Sequence, residues 1–81
     1  MDKEEVIRLL VKNLKRAIPE FADEDLDTGK SYKELGVSSL ELVELVTTTS
    51  REMGVKLPPA ALASVKTTDD LANVLMQLKG A

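Results

Sequence analysis

Residues 34–46 have the sequence ELGVSSLELVELV, and this stretch decides how the chain folds. Ser38 and Glu41 have the S-x-x-E spacing of a capping box, in which each side chain accepts a hydrogen bond from the other residue's backbone N–H. A helix is therefore predicted to begin at Ser39, whose hydroxyl lies at the positive end of the helix dipole. Free N–H groups and the dipole favour negative charge there, so this position suits a phosphate. The simpler interpretation is that two serines only cap a helix.

The same stretch resembles the L-G-x-D-S-L-x-x-V-E-L signature of acyl carrier proteins. Gly36, Ser39 and Leu40 stand where the signature has its glycine, serine and following leucine. Residues 43–45 match its V-E-L, whereas Ser38 stands where the family usually has aspartate. The resemblance implies that Ser39 carries 4′-phosphopantetheine through a phosphodiester. A phosphopantetheinyl transferase would attach this group from coenzyme A with the help of magnesium.

Composition limits the chemistry that the chain can perform. Its 81 residues are 43% apolar and 31% charged, which fits one globular domain. The sequence has no cysteine and no histidine, so the thiolate nucleophile and the commonest general base and metal ligand are missing. A self-contained hydrolase and a metal site are therefore disfavoured, while a carrier needs neither residue because its thiol arrives on the prosthetic arm. No apolar run approaches the ~20 residues of a membrane span, and the charged start predicts a cytoplasmic protein.

The net charge of −3 is concentrated around the motif. Residues 19–46 contain eight acidic and two basic side chains, a net charge of −6. Nucleic acid is disfavoured as a partner because it requires a basic surface. Basic patches on partner enzymes fit better, since complementary charge accelerates encounter. A merely solvated acidic loop is the alternative for residues 20–27.

Hydrophobic periodicity and capping signals predict an all-α fold of three main helices and a short one. The predicted helices cover residues 3–17, 39–53, 59–63 and 69–78, with a single turn over 31–35 that ends at Gly36 and a frayed end over 79–81. Further capping boxes are predicted for Asp2 with Glu5, Ser31 with Glu34 and Thr67 with Asp70. A long acidic loop over 19–30, anchored by Phe21 and Leu26, follows the first helix. A small acyl-carrier-like bundle with a long first loop is also what the resemblance implies.

The helix over residues 39–53 has two faces on a helical wheel. The core face is predicted to contain Leu42, Val43, Leu45, Val46 and Met53. The whole predicted core consists of Leu9, Leu10, Leu14, Leu42, Leu45, Val46, Leu71, Val74 and Leu75. Leu40 lies on the polar face, where an apolar residue beside the attachment serine is typical of a docking contact, although one exposed leucine alone carries no meaning. The candidate docking residues are Leu40, Glu41, Glu44 and Thr47.

The resemblance as a whole implies a monomeric, stand-alone carrier that holds acyl groups as thioesters and catalyses nothing. Its partners would be a phosphopantetheinyl transferase and a ketosynthase, an acyltransferase or other acyl-handling enzymes acting in trans. In this family an acidic strip often continues into the second half of the helix over 39–53, where this chain has Thr47, Thr48, Ser50 and Arg51 instead. This difference and the free-standing length favour polyketide or related secondary metabolism. Residues 60–66 resemble stand-alone carriers of polyketide β-branching cassettes. One alternative is a carrier of fatty acid synthesis. The other is a helical adaptor that has the carrier fold but carries no prosthetic group. Ser38, in place of the family's aspartate, favours this alternative.

Overall fold

The computed structural model describes residues 1–80 of the chain. The fold is built from three long helices. They are α1 (Lys3–Ala17), α3 (Ser39–Met53) and α4 (Thr68–Gly80), and the single turn α2 (Tyr32–Leu35) precedes α3. Two 3-10 helices, Pro19–Phe21 and Pro59–Ser64, lie in the connections. Across residues 1–80, every helix is too short or too polar to span a membrane.

The ends of the helices agree closely with the prediction. α1 and α3 have the predicted bounds, and the short helix after α3 ends one residue later than predicted. α4 begins one residue earlier and includes Lys79 and Gly80, which the sequence predicts to fray. The Lys79 ammonium donates a hydrogen bond of 2.9 Å to the Met53 carbonyl, and this bond ties the last turn of α4 to the end of α3. Ala81, also predicted to fray, lies outside the described residues.

Each of the four helices begins at a capping box with the spacing found in the sequence. The four pairs are Asp2 with Glu5, Ser31 with Glu34, Ser38 with Glu41 and Thr67 with Asp70. In every pair the first side chain accepts from the second residue's N–H, and the second carboxylate accepts in return. Gly36 and Gly54 end α2 and α3 with left-handed φ values of 81° and 71°, as expected of C-terminal glycines.

The core lies where α1 packs against α3 and α4. Its buried apolar residues are Val6, Leu10, Leu14, Ile18, Tyr32, Val37, Leu45, Val46, Met53, Val65, Leu71, Ala72 and Leu75. Six of the nine predicted core residues are among them. The other three, Leu9, Leu42 and Val74, are half-buried and pack against the edge of the core. Phe21 and Leu26 anchor the first loop there in the same way, as predicted.

The prediction that Val43 faces the core is wrong, because 49% of this side chain is exposed. The buried face of α3 is centred nearer to Leu45 and Thr49, which are 1% and 0% exposed. Val43 lies about 120° round the helix from Thr49, so no neighbouring helix covers it. Val43 therefore belongs to the exposed surface that contains Leu40.

A buried polar contact between α1 and α3 is absent from the sequence prediction. The Asn13 amide is 3% exposed and donates to the Thr49 hydroxyl at 2.9 Å and to the Glu52 carboxylate at 2.6 Å. Burying an amide is favourable only when it is hydrogen-bonded, so this contact fixes the position of α1 on α3. Both residues lie within the apolar stripes of their helices, three residues after Leu10 and four after Leu45, but the predicted core was drawn from apolar residues alone and so omitted them.

Candidate functional site

Ser39 is the first residue of α3 and its side chain is exposed. The preceding residue, Ser38, forms the cap: its hydroxyl accepts from the Glu41 N–H at 3.1 Å, and its own N–H donates to the Glu41 carboxylate at 2.9 Å. Within residues 1–80 the Ser39 hydroxyl has no hydrogen-bond partner, and the N–H groups of Ser39 and Leu40 are free as well. The two adjacent serines thus have different roles: Ser38 caps the N-terminus of α3, and Ser39 remains accessible.

The short turn before α3 fixes the position of this serine. Gly36 closes α2 in the left-handed conformation, and the N–H of the next residue, Val37, donates to the Tyr32 carbonyl at 2.9 Å. Val37 is buried and holds the connection against the core. A side chain at Gly36 would be strained because of its positive φ. Ser39 therefore lies at the end of a rigid three-residue connection.

A groove of about 670 Å³ opens beside Ser39. Its apolar lining comes from Tyr32, Val37, Leu42 and Val65, and its polar lining includes two exposed lysines, Lys33 and Lys66. Burial raises the pKa of Tyr32 to about 12, so its phenol is neutral in the groove wall and accepts a hydrogen bond of 3.0 Å from the Thr68 hydroxyl. An accessible hydroxyl, free N–H groups at a helix N-terminus and an adjoining apolar groove fit a phosphate-linked arm that ends in an acylated thiol.

The candidate docking residues lie together on one face of α3. Leu40 is 78% exposed, and Glu44 and Thr47 are exposed as well. Val43, which the sequence prediction placed in the core, completes the i, i+3, i+4, i+7 series with them. These four residues are called the α3 face below. Glu41 differs from them, because its carboxylate is held in the capping box and its side chain is half-buried.

Comparison with known proteins identifies the family. The family model described as "Phosphopantetheine attachment site" matches residues 4–75. The chain belongs to this family. Members are carriers rather than catalysts, and they hold 4′-phosphopantetheine covalently and work with acyl-handling enzymes. The predicted family, the carrier function and the cofactor are thereby confirmed.

Two individual proteins are similar over nearly the whole chain. The polyketide biosynthesis acyl-carrier-protein AcpK of Bacillus subtilis (strain 168) is 29% identical over 75 residues, which are 93% of this chain and 92% of the relative. A chain in the crystal structure of the curacin biosynthetic pathway HMG synthase in complex with acetyl donor-ACP is 28% identical, with a TM-score of 0.82. That match covers 91% of this chain and 95% of the other. It confirms the all-α carrier fold.

Proposed function

We propose that this phosphopantetheine-carrying protein serves polyketide biosynthesis and bears its arm on Ser39. The observation that carries the proposal is the free Ser39 hydroxyl at the N-terminus of α3, beside an apolar groove. Similarity to a polyketide carrier of Bacillus supports the pathway. Residues 1–81 act as a single carrier domain, a monomer in the cytoplasm, where a phosphopantetheinyl transferase loads it from coenzyme A.

The proposed partners take a short acyl group from the carrier or place one on it. The similar chain solved with an HMG synthase is an acetyl donor, which supports an HMG-synthase-type enzyme as one partner. A ketosynthase and an acyltransferase acting in trans are others. The carrier's contribution is to raise the effective concentration of a tethered substrate at each enzyme in turn.

Intact-mass spectrometry tests the proposal. The apo chain is incubated with coenzyme A, magnesium and a broad-specificity phosphopantetheinyl transferase. We expect a mass increase of one phosphopantetheinyl group, and peptide mapping should locate it at Ser39. A chain that gains no mass with several transferases would contradict the proposal and favour the second candidate, a helical adaptor that kept the carrier fold. The serine at position 38, in place of the family's aspartate, is the observation that favours this second candidate.

Ser38→Asp is expected to accelerate loading at little cost in stability. A carboxylate beside the Ser39 hydroxyl would offer magnesium a preferred oxygen ligand during transfer. The cap should persist, because α1 already uses the same pair: Asp2 accepts from the Glu5 N–H at 2.9 Å and its own N–H donates back at 3.2 Å. A loading time course of both proteins with one transferase measures the effect, and an unchanged or slower rate would contradict it.

Glu44→Lys is expected to slow association with a partner enzyme several-fold at low ionic strength. The reversed charge stands on the α3 face, where it would meet the basic patch of the partner. The defect should shrink with added salt, because the Debye length is only ~10 Å at 0.1 M. Stopped-flow association with the transferase measures it. Glu24→Lys, an equal charge change in the first loop, is the matched control, and an equal defect there would show that only net charge matters.

A further inference from the structure

Two lysines are brought to one groove by a backbone contact between distant parts of the chain. The Tyr32 N–H donates to the Lys66 carbonyl at 2.8 Å, and Ser31 forms an isolated antiparallel bridge with Thr67. The residue after Tyr32 is Lys33, so both lysines line the groove beside Ser39 from adjoining segments. Unlike Lys79, which donates to a carbonyl, neither lysine's ammonium has a hydrogen-bond partner within residues 1–80.

Each of these lysines has, within four residues, a carboxylate that is engaged in a helix cap. Glu34 accepts from the Ser31 N–H and hydroxyl, and these bonds lower the pKa of Glu34. Asp70 accepts from the N–H groups of Lys66 and Thr67, each at 3.1 Å, and these bonds lower the pKa of Asp70. Both carboxylates are thus ionised and held against backbone, and Asp70 also interacts with the charge of Lys66. Because neither ammonium group donates a hydrogen bond within residues 1–80, both can still donate to an incoming anion.

The phosphate of the arm has other partners close by. It is attached at the edge of the groove to Ser39, where the N–H groups of Ser39 and Leu40 are free and the helix dipole is positive. Lys66 lines the same groove from a different segment, the connection between the second 3-10 helix and α4. The N–H groups at the start of α3 can hold the phosphate, so the two lysines remain for an anion further along the arm, at its acyl end, when the arm folds back over the apolar lining that includes Val37 and Val65.

We propose that Lys33 and Lys66 bind the terminal carboxylate of a short dicarboxylic acyl group carried on the arm. The apolar lining of the groove would cover the methylene part of such a group, and the two ammonium groups would pair with its free acid. A neutral acyl group of the same length would gain nothing from the lysines. The proposal rests on the proposed function, in that it requires the arm on Ser39.

Nuclear magnetic resonance of loaded protein tests this assignment. Ser39 is loaded with pantetheine arms whose thioester is replaced by a stable amide, and which carry an acetyl group, a malonyl group or the methyl ester of the malonyl group. We expect the malonyl arm to shift the backbone amide signals of Val37 and Val65 at least twofold more than the two neutral arms. The double variant Lys33→Gln, Lys66→Gln should remove most of this difference. The double variant Lys30→Gln, Lys56→Gln changes net charge equally and should retain it.

Each outcome decides between the possible bound groups. Equal shifts with all three arms would overturn the carboxylate assignment while leaving the carrier function intact. An equal effect of the lysine substitutions on all three arms would mean that the lysines bind the phosphodiester instead, which also overturns it. Mass spectrometry before each spectrum separates these results from failure to load, which would contradict the proposed function itself. Circular dichroism of the variants should be unchanged, since both lysines are exposed.

Discussion

Ser39→Ala is expected to abolish phosphopantetheine loading completely while the protein stays folded. Loading requires an oxygen nucleophile at this position, and alanine has none. The helix itself should be unaffected, because alanine is the best helix former and the Ser39 hydroxyl has no partner to lose within residues 1–80. Intact mass after prolonged incubation with transferase and coenzyme A measures loading. Urea denaturation should show a stability within about 0.5 kcal/mol of the wild type.

Ser38→Ala is the matched control, because it removes the neighbouring hydroxyl instead. This variant should still load, since Ser39 remains accessible. It should lose about 0.5–2 kcal/mol of stability, because the Glu41 N–H loses the cap that accepts from it at 3.1 Å. The opposite pattern, with Ser38→Ala unloaded and Ser39→Ala loaded, would place the arm one residue earlier and contradict the assignment of both serines.

The sequence sufficed for the helix boundaries because the signals that set them are local. Each capping box consists of two residues three positions apart, so the spacing itself carries the geometry. Gly36 and Gly54 mark the ends of α2 and α3 for an equally local reason, their positive φ. The place of Ser39 at the first turn of α3 followed from the same spacing. The motif resemblance then added the chemistry, which spacing alone could not supply.

Features that depend on distant parts of the chain could not be predicted in this way. The groove beside Ser39 requires the hydrogen bond between Tyr32 and Lys66, and nothing in either local sequence indicates that pairing. The contact of Asn13 with Thr49 spans two helices, and although both residues fall within the apolar stripes, nothing in either local sequence indicates that their polar side chains pair. The position of Val43 was predicted wrongly for a related reason. The angle at which neighbouring helices pack determines which side of a helix they cover, and this angle cannot be deduced from one helix alone.

Because of these long-range contacts, the two halves of α3 differ in exposure and in function. Its C-terminal half, around Thr49 and Met53, is buried against α1 and the end of α4. Its N-terminal half leaves Ser39 and the α3 face exposed. Substitutions in the core that α1 shares with α3 and substitutions on the α3 face should therefore affect different measurements, and two leucines, one from each place, offer the clearest comparison.

Leu10→Ala is expected to destabilise the protein severely. This side chain is 0% exposed in the centre of the core, so its truncation leaves a cavity and costs about 2–5 kcal/mol. A domain of this kind has a total free energy of unfolding of only about 5–15 kcal/mol, so the loss is a large part of the whole. The midpoint of urea denaturation should fall strongly, and loading should decline only because less folded protein is present.

Leu40→Ala makes the same chemical change on the α3 face and should have the opposite effect. Because 78% of Leu40 is exposed, its truncation should change stability by no more than about 0.5 kcal/mol. Affinity for a partner enzyme should fall, by roughly five- to thirty-fold if the leucine contributes about 1–2 kcal/mol as a buried contact in the complex. Titration calorimetry of the loaded carrier with the partner enzyme measures this affinity. Ala61→Gly, a truncation distant from the α3 face in sequence, serves as the control. A large loss of stability in Leu40→Ala would instead place this leucine in the core and remove it from the docking surface.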